Sequence, residues 1–423
     1  MSIVMLMLLS SLLHGATLED ALRSALKKNE TVKQAHEKVV QAEELLDQAK
    51  SGPRPTLSFN ATHMIQDVPR NPLSREFSPE EQTTSNLNLK QPLFRGLREF
   101  AALRQRHDLL EAERANEEGS LARLYEDVAT TYFEVLAHQQ DLRNLDDQRE
   151  LYADRVKNLQ ARARRGESAR NEPLSAQSAE AVVEAEIAVI QTKLRTAREH
   201  LALLTGLSPT TELADDKSED EHLTDVDSLE KYLARISERP DMVAARKNAE
   251  AAEETVTIAK RAHWPSLDLI GNYYFQRPGF MDEIDWDVQF KLTFPIYEGG
   301  LRVSETQQAA SVHRERELGV ARVRRTAEAE IKSLHENLSI RVRHLKALER
   351  ATDLSRRNSQ LLERDFRRGL ARNIDVQAAL AEYGVARRNY DQARYAARLD
   401  WVRLQRAAHR LPPAFSEYIK DDQ

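Results

Sequence analysis

The chain contains no cysteine. That excludes disulfides, thiolate metal sites, cysteine nucleophiles and a lipid-carrying cysteine near the N-terminus. Breakers are scarce as well: 13 Gly and 14 Pro among 423 residues leave room for long uninterrupted helices. Positive charge is not in excess, since 62 Lys and Arg face 68 Asp and Glu for a net charge of -6, and nothing suggests a nucleic-acid surface. The 12 His residues show no spacing of three or four, so no helix-face metal pair exists. A phosphate-cradling Gly loop, a nucleophile elbow and a zinc-protease signature are all missing. No catalytic residue, cofactor or metal ligand is therefore expected, and the chain does not read as an enzyme.

Long apolar runs are also wanting. Met1 to Leu13 is uncharged and apolar but too short to span a bilayer as a helix, and Gly15-Ala16 offers a cleavage end. Residues 1–16 thus read as a secretory signal, although a basic start is missing and His14 sits where a small residue is preferred. No other segment is apolar for long enough to be a transmembrane helix. If the protein crosses a membrane, strands must do it.

What the chain does have is a second copy of itself. At a constant offset of 210, Ala35, Ala42, Glu43, Glu44, Lys50, Pro55 and Leu57 recur as Ala245, Ala252, Glu253, Glu254, Lys260, Pro265 and Leu267. The offset then becomes 203, so that Pro92, Gly96, Leu145, Gly166 and Pro209 recur as Pro295, Gly299, Leu348, Gly369 and Pro412. Each copy reads helix, strand, strand, very long helix, Gly turn, helix. The repeats cover residues 17–207 and 229–411, joined by an acidic linker at 208–228 and followed by a tail at 412–423. Asp215, Asp216, Glu219, Asp220 and Glu221 in that linker read as a solvated surface segment.

Period decides the elements. Thr17 to Lys50 is helical, ended by Pro53 and Pro55. Strands are expected at about 55–66 and 83–93, around a loop with Pro69, Pro72 and Pro79, and again at about 265–276 and 284–294. The last is the cleanest: Trp286, Val288, Phe290, Leu292 and Phe294 alternate with Asp285, Asp287, Gln289, Lys291 and Thr293. A soluble sheet over a core and a lipid-facing barrel both produce this alternation. The drop in offset falls between paired strands, which places an indel in a loop. Trp264, Trp286, Tyr273, Tyr274, Tyr297 and Phe94 gather at strand ends, as in interfacial girdles, though packing accounts equally well for Trp264 and Tyr297. Helices of about 68 residues follow each strand pair, long enough to reach roughly 100 Å, and return helices lie near 173–206 and 376–409.

Four strands cannot close a barrel, for which about eight is the practical minimum. Left open they expose two edges and an apolar face. Pooling strands between chains removes both, two chains giving eight strands and three giving twelve, and the mostly polar inner face favours twelve.

The duplicated unit resembles the outer membrane efflux protein family, the TolC-type channel-tunnels. The resemblance rests on Pro55-Thr56-Leu57 with Pro265-Ser266-Leu267, on Gln91-Pro92-Leu93-Phe94-Arg95-Gly96 with Phe294-Pro295-Ile296-Tyr297-Glu298-Gly299-Gly300, and on the turns at Gly166 and Gly369. It implies a mainly α fold with a transmembrane β-barrel: a homotrimer pooling a 12-stranded barrel in the lipid of the Gram-negative outer membrane, with a periplasmic α-helical barrel. It further implies an exit duct for efflux or type I secretion that works with a periplasmic adaptor (membrane fusion protein) and an inner-membrane pump or ABC exporter. A soluble periplasmic coiled-coil scaffold is the alternative.

The Gly turns end helices in a left-handed residue, with Arg complementing the helix dipole. By resemblance, Arg165, Gly166, Arg368 and Gly369 are also tips that meet the adaptor. Glu172 and Asp375 each stand six residues after their Gly, where acids favour helix N-termini. The family places acids here that narrow the tunnel mouth, which implies a pore constriction built from Asp375 and Glu172. Pro173 in place of an aliphatic residue, Ala378 where a second acid can occur, and Phe366 without a hydroxyl depart from the family pattern.

Overall fold

The computed structural model describes residues 15–67, 70–71, 80–223, 226–278 and 281–415. The leader residues up to His14, the loop residues Pro69, Pro72 and Pro79, Gly279 and the tail beyond Phe415 lie outside them. The first copy comprises α1 (Leu18–Lys28), α2 (Glu30–Ser51), β1 (Thr56–Ile65), β2 (Glu81–Phe94), α3 (Arg98–Arg164) and α4 (Glu172–Thr205). The second comprises α5 (Leu229–Leu233), α6 (Pro240–Arg261), β3 (Ser266–Gln276), β4 (Trp286–Thr293), α7 (Leu301–Arg367) and α8 (Asn373–Ala407). The mainly helical, duplicated strand-strand-long helix-turn-helix order is the expected one.

Contacts divide the chain into two units. One gathers the chain up to Gln34, Glu118–Arg239 and Arg325 onward; the other holds Ala35–Glu117 and Pro240–Arg324. In the second unit the four strands form one antiparallel sheet ordered β1-β2-β3-β4. Register places Phe59 beside Leu87, Leu87 beside Tyr273, Leu269 beside Phe290 and Leu267 beside Leu292, so the period-two residues of all four strands share a face. That face is uncovered: Leu57, Phe290 and Leu292 are each 68–69% exposed. The opposite face is tied by hydrogen bonds. Asn86 and Asn88 Nδ2 donate to Asn272 Oδ1 at 3.0 and 2.8 Å, Asn272 Nδ2 donates to Asp287 at 2.9 Å, and the Tyr274 hydroxyl donates to Asp287 at 3.0 Å. Tyr274 therefore belongs to the polar face, not to an apolar girdle. Pro92, which has no N–H, sits where the β2–β3 register shifts. Gly96 is forced twice over: its φ is +69°, and a Cβ would lie 2.7 Å from the Arg261 carbonyl.

In the first unit, one stripe of α3 from Leu121 to Leu136 packs against Leu22 and Leu26 of α1, Leu194 and Leu201 of α4, and Tyr395 and Val402 of α8. Each such fully buried side chain contributes about 1.5–3 kcal/mol. Thr17 and Asp20 form a reciprocal cap at the start of α1. Its Ser24, Lys28 and Asn29 side chains donate to the carbonyls of Thr205, Gly206 and Leu204, satisfying acceptors that the end of α4 would otherwise leave unpaired.

Three expectations change. The helix expected from Thr17 to Lys50 is broken at Asn29, whose backbone is extended and whose side chain accepts from the Thr31 N–H. Asn competes with the helix by bonding its own neighbourhood. Secondly, Ala16, placed at the end of the leader, is built into this unit. Its N–H donates to the Glu212 carbonyl, its carbonyl accepts from Ala214, and the Tyr132 hydroxyl lies 2.6 Å from the Ala214 carbonyl and 3.0 Å from that of Ala16. Cleavage after Ala16 would remove these bonds.

Thirdly, the acidic linker is not simply solvated. Arg398 has a side chain only 1% exposed, and it donates to Asp215 at 2.8 Å and Asp220 at 2.7 Å. Arg394 and the Tyr395 hydroxyl also reach Asp215, at 2.7 and 2.8 Å. Burial by itself would raise the Asp215 carboxyl; Arg394, Tyr395 and Arg398 outweigh it and hold the group below the usual carboxylate range. A depressed carboxyl contributes stability above its unfolded value, near 3.9, and that contribution is lost as pH falls through the folded value.

Arg398→Ala should destabilise this unit by about 3–5 kcal/mol, because it takes the buried cation from Asp220 and leaves Asp215 with Arg394 and Tyr395 alone; thermal melting followed by circular dichroism would read the loss. Asp215→Asn should flatten the decline of stability below about pH 4. An unchanged melting temperature in Arg398→Ala would show that the network carries no stability.

Candidate functional site

The expected site residues lie at two turns of the same construction. Gly166 and Gly369 both adopt φ +76° with open space around them, so backbone conformation, not crowding, demands glycine. In each turn the residue after Gly donates back to a helix carbonyl: Glu167 to Arg162 at 2.9 Å, and Leu370 to Asp365 at 2.8 Å. These bonds close the last turns of α3 and α7.

The arginines at the two turns are not equivalent. Arg165 makes a two-pronged pair with Glu167 at 2.7 and 2.9 Å. Both are well exposed, so the pair orients the turn more than it stabilises it. Arg368 is exposed and makes no side-chain bond among the described residues, while the neighbouring Arg367 pairs with Glu363 at 3.2 Å. Of the two expected docking arginines, Arg368 offers the freer charge.

The acids sit where helix dipoles favour them. Glu172 opens α4 and is half-buried; Asp375 lies in the first turn of α8. The Ser175 hydroxyl donates to Gln377 Oε1 at 2.9 Å, joining the first turns of α4 and α8. Arg372 grips the Asp375 carboxylate with two bonds of 3.0 Å. Hydrogen bonds from Arg372 hold that carboxyl below the usual range. The acid therefore stays charged to lower pH than a free carboxyl would, with a cation beside it.

The sequence reading missed Arg155. Its side chain is 5% exposed. Nε and Nη2 donate to Asn373 Oδ1 at 2.9 and 2.7 Å, and Nη1 donates to Glu363 at 2.7 Å. Its guanidinium lies 4.6 Å from the Phe366 ring centre, with that of Arg162 at 4.8 Å. Phe366 packs on the cluster of Val156, Leu159 and Ala176. So Phe366, lacking a hydroxyl, is held through its ring face and apolar edge. A signal was present in the sequence: Arg155 interrupts the apolar row of Tyr152, Val156 and Leu159. A charge in such a row is buried only when paired.

Among the described residues no cluster of His, Asp and Glu could hold a metal, and no helix is long and apolar enough to cross a membrane.

Comparison with known proteins adds three findings. A family model described as outer membrane efflux protein matches residues 21–207 and 234–408. Outer membrane protein TolC of Vibrio cholerae is 23% identical over 289 residues, a stretch covering 66% of this chain and 66% of that protein. Among solved structures, outer membrane protein VceC of Vibrio cholerae superposes with a TM-score of 0.81 at 20% identity, over 92% of this chain and 95% of that one. The open state of the Neisseria gonorrhoeae MtrE outer membrane channel gives 0.77 at 17% identity, over 93% and 89%.

Arg155→Met should leave the Asn373 amide and the Glu363 carboxylate without their buried partner. Hydrogen exchange of amides 363–376 should then speed at least about tenfold, with little change at 395–405. Equal acceleration in both segments would mean global destabilisation instead of release of the turn.

Proposed function

The chain belongs to the outer membrane efflux protein family, a protein of the Gram-negative outer membrane with its helices in the periplasm, and from that premise we propose that it is the passive exit duct of a tripartite efflux pump or a type I secretion system. The observation that carries this reading is the sheet: apolar face uncovered, polar face hydrogen-bonded, β1 and β4 open at the edges. A soluble scaffold would turn the apolar face to a core. A barrel wall turns it to lipid, provided no edge remains in the hydrocarbon. Three copies that pair β4 of one with β1 of the next supply twelve strands, enough for a water-filled lumen.

The remaining parts follow from that assembly. Partners are a periplasmic adaptor (membrane fusion protein) and an inner-membrane pump or ABC exporter, which supply docking and energy. Arg165, Gly166, Arg368 and Gly369 form the tips offered to the adaptor, with Arg368 the freer donor for adaptor carboxylates or carbonyls. Glu172 and Asp375 become rings of three carboxylates at the periplasmic mouth, where a confined field favours cations. Arg372 tempers the Asp375 ring by sitting beside each acid.

A native mass of the detergent-extracted protein should correspond to three chains; a monomer that is soluble without detergent would overturn the reading. In planar bilayers, Glu172→Ala with Asp375→Ala should raise conductance or weaken cation selectivity. Arg372→Ala should strengthen that selectivity by uncovering the Asp375 charge. If neither variant changes conductance or selectivity, these acids do not constrict the pore.

A further inference from the structure

Asp141 is a carboxyl that neither the apolar core nor the Gly turns account for. It sits on α3 between other helices, with its side chain only 4% exposed. From α8, Gln392 Nε2 reaches Asp141 Oδ2 at a long 3.4 Å, and Arg388 Nε stands 3.9 Å from Oδ1. Among the described residues, Oδ1 accepts no hydrogen bond. Other charged groups at this level are occupied. Asp391 of α8 accepts from the Asn144 amide at 2.7 Å, and His138, one turn back on α3, faces Glu134 at 3.7 Å. A buried carboxylate is ordinarily paired, yet the nearest arginine is engaged elsewhere.

That arginine is Arg388, whose Nη1 donates to Glu186 of α4. The two acids it faces are unequal. Glu186 is 41% exposed, so water can solvate it when the arginine leaves. Asp141 has no such recourse. A charge-assisted N–H···O bond spans about 2.7–2.9 Å, so Arg388 Nε needs to move only about 1 Å to make one with Asp141.

Burial pushes the Asp141 carboxyl above the usual carboxylate range; Arg388, Gln392 and His138 pull it down without cancelling that rise, and Glu186 adds to it. Ionising Asp141 therefore costs no stability below its unfolded value, near 3.9. The cost builds as pH rises through the higher folded value.

We propose that Asp141, Arg388 and Glu186 form a proton-operated clasp in which one arginine serves two acids on two helices. With Asp141 protonated, Arg388 ties α8 to α4 through Glu186. With Asp141 charged, Arg388 is drawn to Asp141 and ties α8 to α3, leaving Glu186 to water. The exchange is a local electrostatic event acting on a two-position element. It has a path to the Gly turns, because the same helix pairs meet there: α3 with α8 through Arg155 and Asn373, and α4 with α8 through Ser175 and Gln377. Duplication did not build the clasp, since at the offset of 203 Asp141 answers to His344 and Arg388 to Ala185.

Hydrogen exchange of amides 384–394 reads how firmly α8 is held at this level. Asp141→Asn, an isosteric stand-in for the protonated acid, should slow that exchange severalfold near neutral pH and change it little near about pH 4. Glu186→Gln ends the competition, because Arg388 then has one acid to serve. In that background, adding Asp141→Asn should speed exchange near neutral pH instead of slowing it. Repeating the series with His138→Gln keeps a histidine that titrates in the same range from being read as Asp141. A reversal of sign between the two backgrounds supports the clasp. If Asp141→Asn acts with one sign in both, or equally at both pH values, the clasp is wrong and Asp141 is a buried acid without a switching partner.

Discussion

An antiparallel sheet of four strands with an uncovered apolar face is the constraint on which the rest of this molecule turns. Among the described residues, backbone groups along β1 and β4 have no partner strand on their outer sides, and Phe290, Leu292 and Leu57 have no core to enter. Water can satisfy the edges but not the face, and hydrocarbon can satisfy the face but not the edges. The closed wall in lipid proposed above meets both demands. The polar side sets the orientation of that wall, because the Asn86, Asn88, Asn272 and Asp287 ladder runs across three strands.

The helical unit is held in two different ways. Around α1, the middle of α3 and the ends of α4 and α8, large side chains are fully buried. Charges there are tied by Arg398 to Asp215 and Asp220. Toward the Gly turns apolar burial thins, and specific polar ties take over: Arg155 to Asn373 and Glu363, Ser175 to Gln377, Arg372 to Asp375. Apolar contacts tolerate small slips, whereas these bonds have one geometry each and break as discrete events.

Much of the fold was legible because its signals are periodic. Trp286 to Phe294 alternates so regularly that only a strand fits, and the Leu121 to Leu136 stripe of α3 is buried as its spacing implies. The turns were legible because Gly166 and Gly369 must be left-handed. The misreadings share a cause as well. Asp215 and Asp220 look solvated in sequence, since their partners Arg394 and Arg398 lie some 180 positions away. Arg372 is only three residues from Asp375, yet spacing could not say whether the two side chains would meet. Tyr274 reads as one more aromatic at a strand end until register turns its hydroxyl toward Asp287.

By itself the sequence determined which segments are helices and strands, that the unit is duplicated, and where the chain reverses. These follow from local steric preference and from the period at which apolar residues return. Only the tertiary structure decided which strands are outermost, which face of the sheet is bare, that Arg155 fastens the second turn, and that Asp215 and Asp220 are paired with arginines. Such outcomes depend on groups far apart in the chain meeting at a few ångströms, and hydrophobic periodicity, which records only whether a residue is buried, does not record what it is buried against.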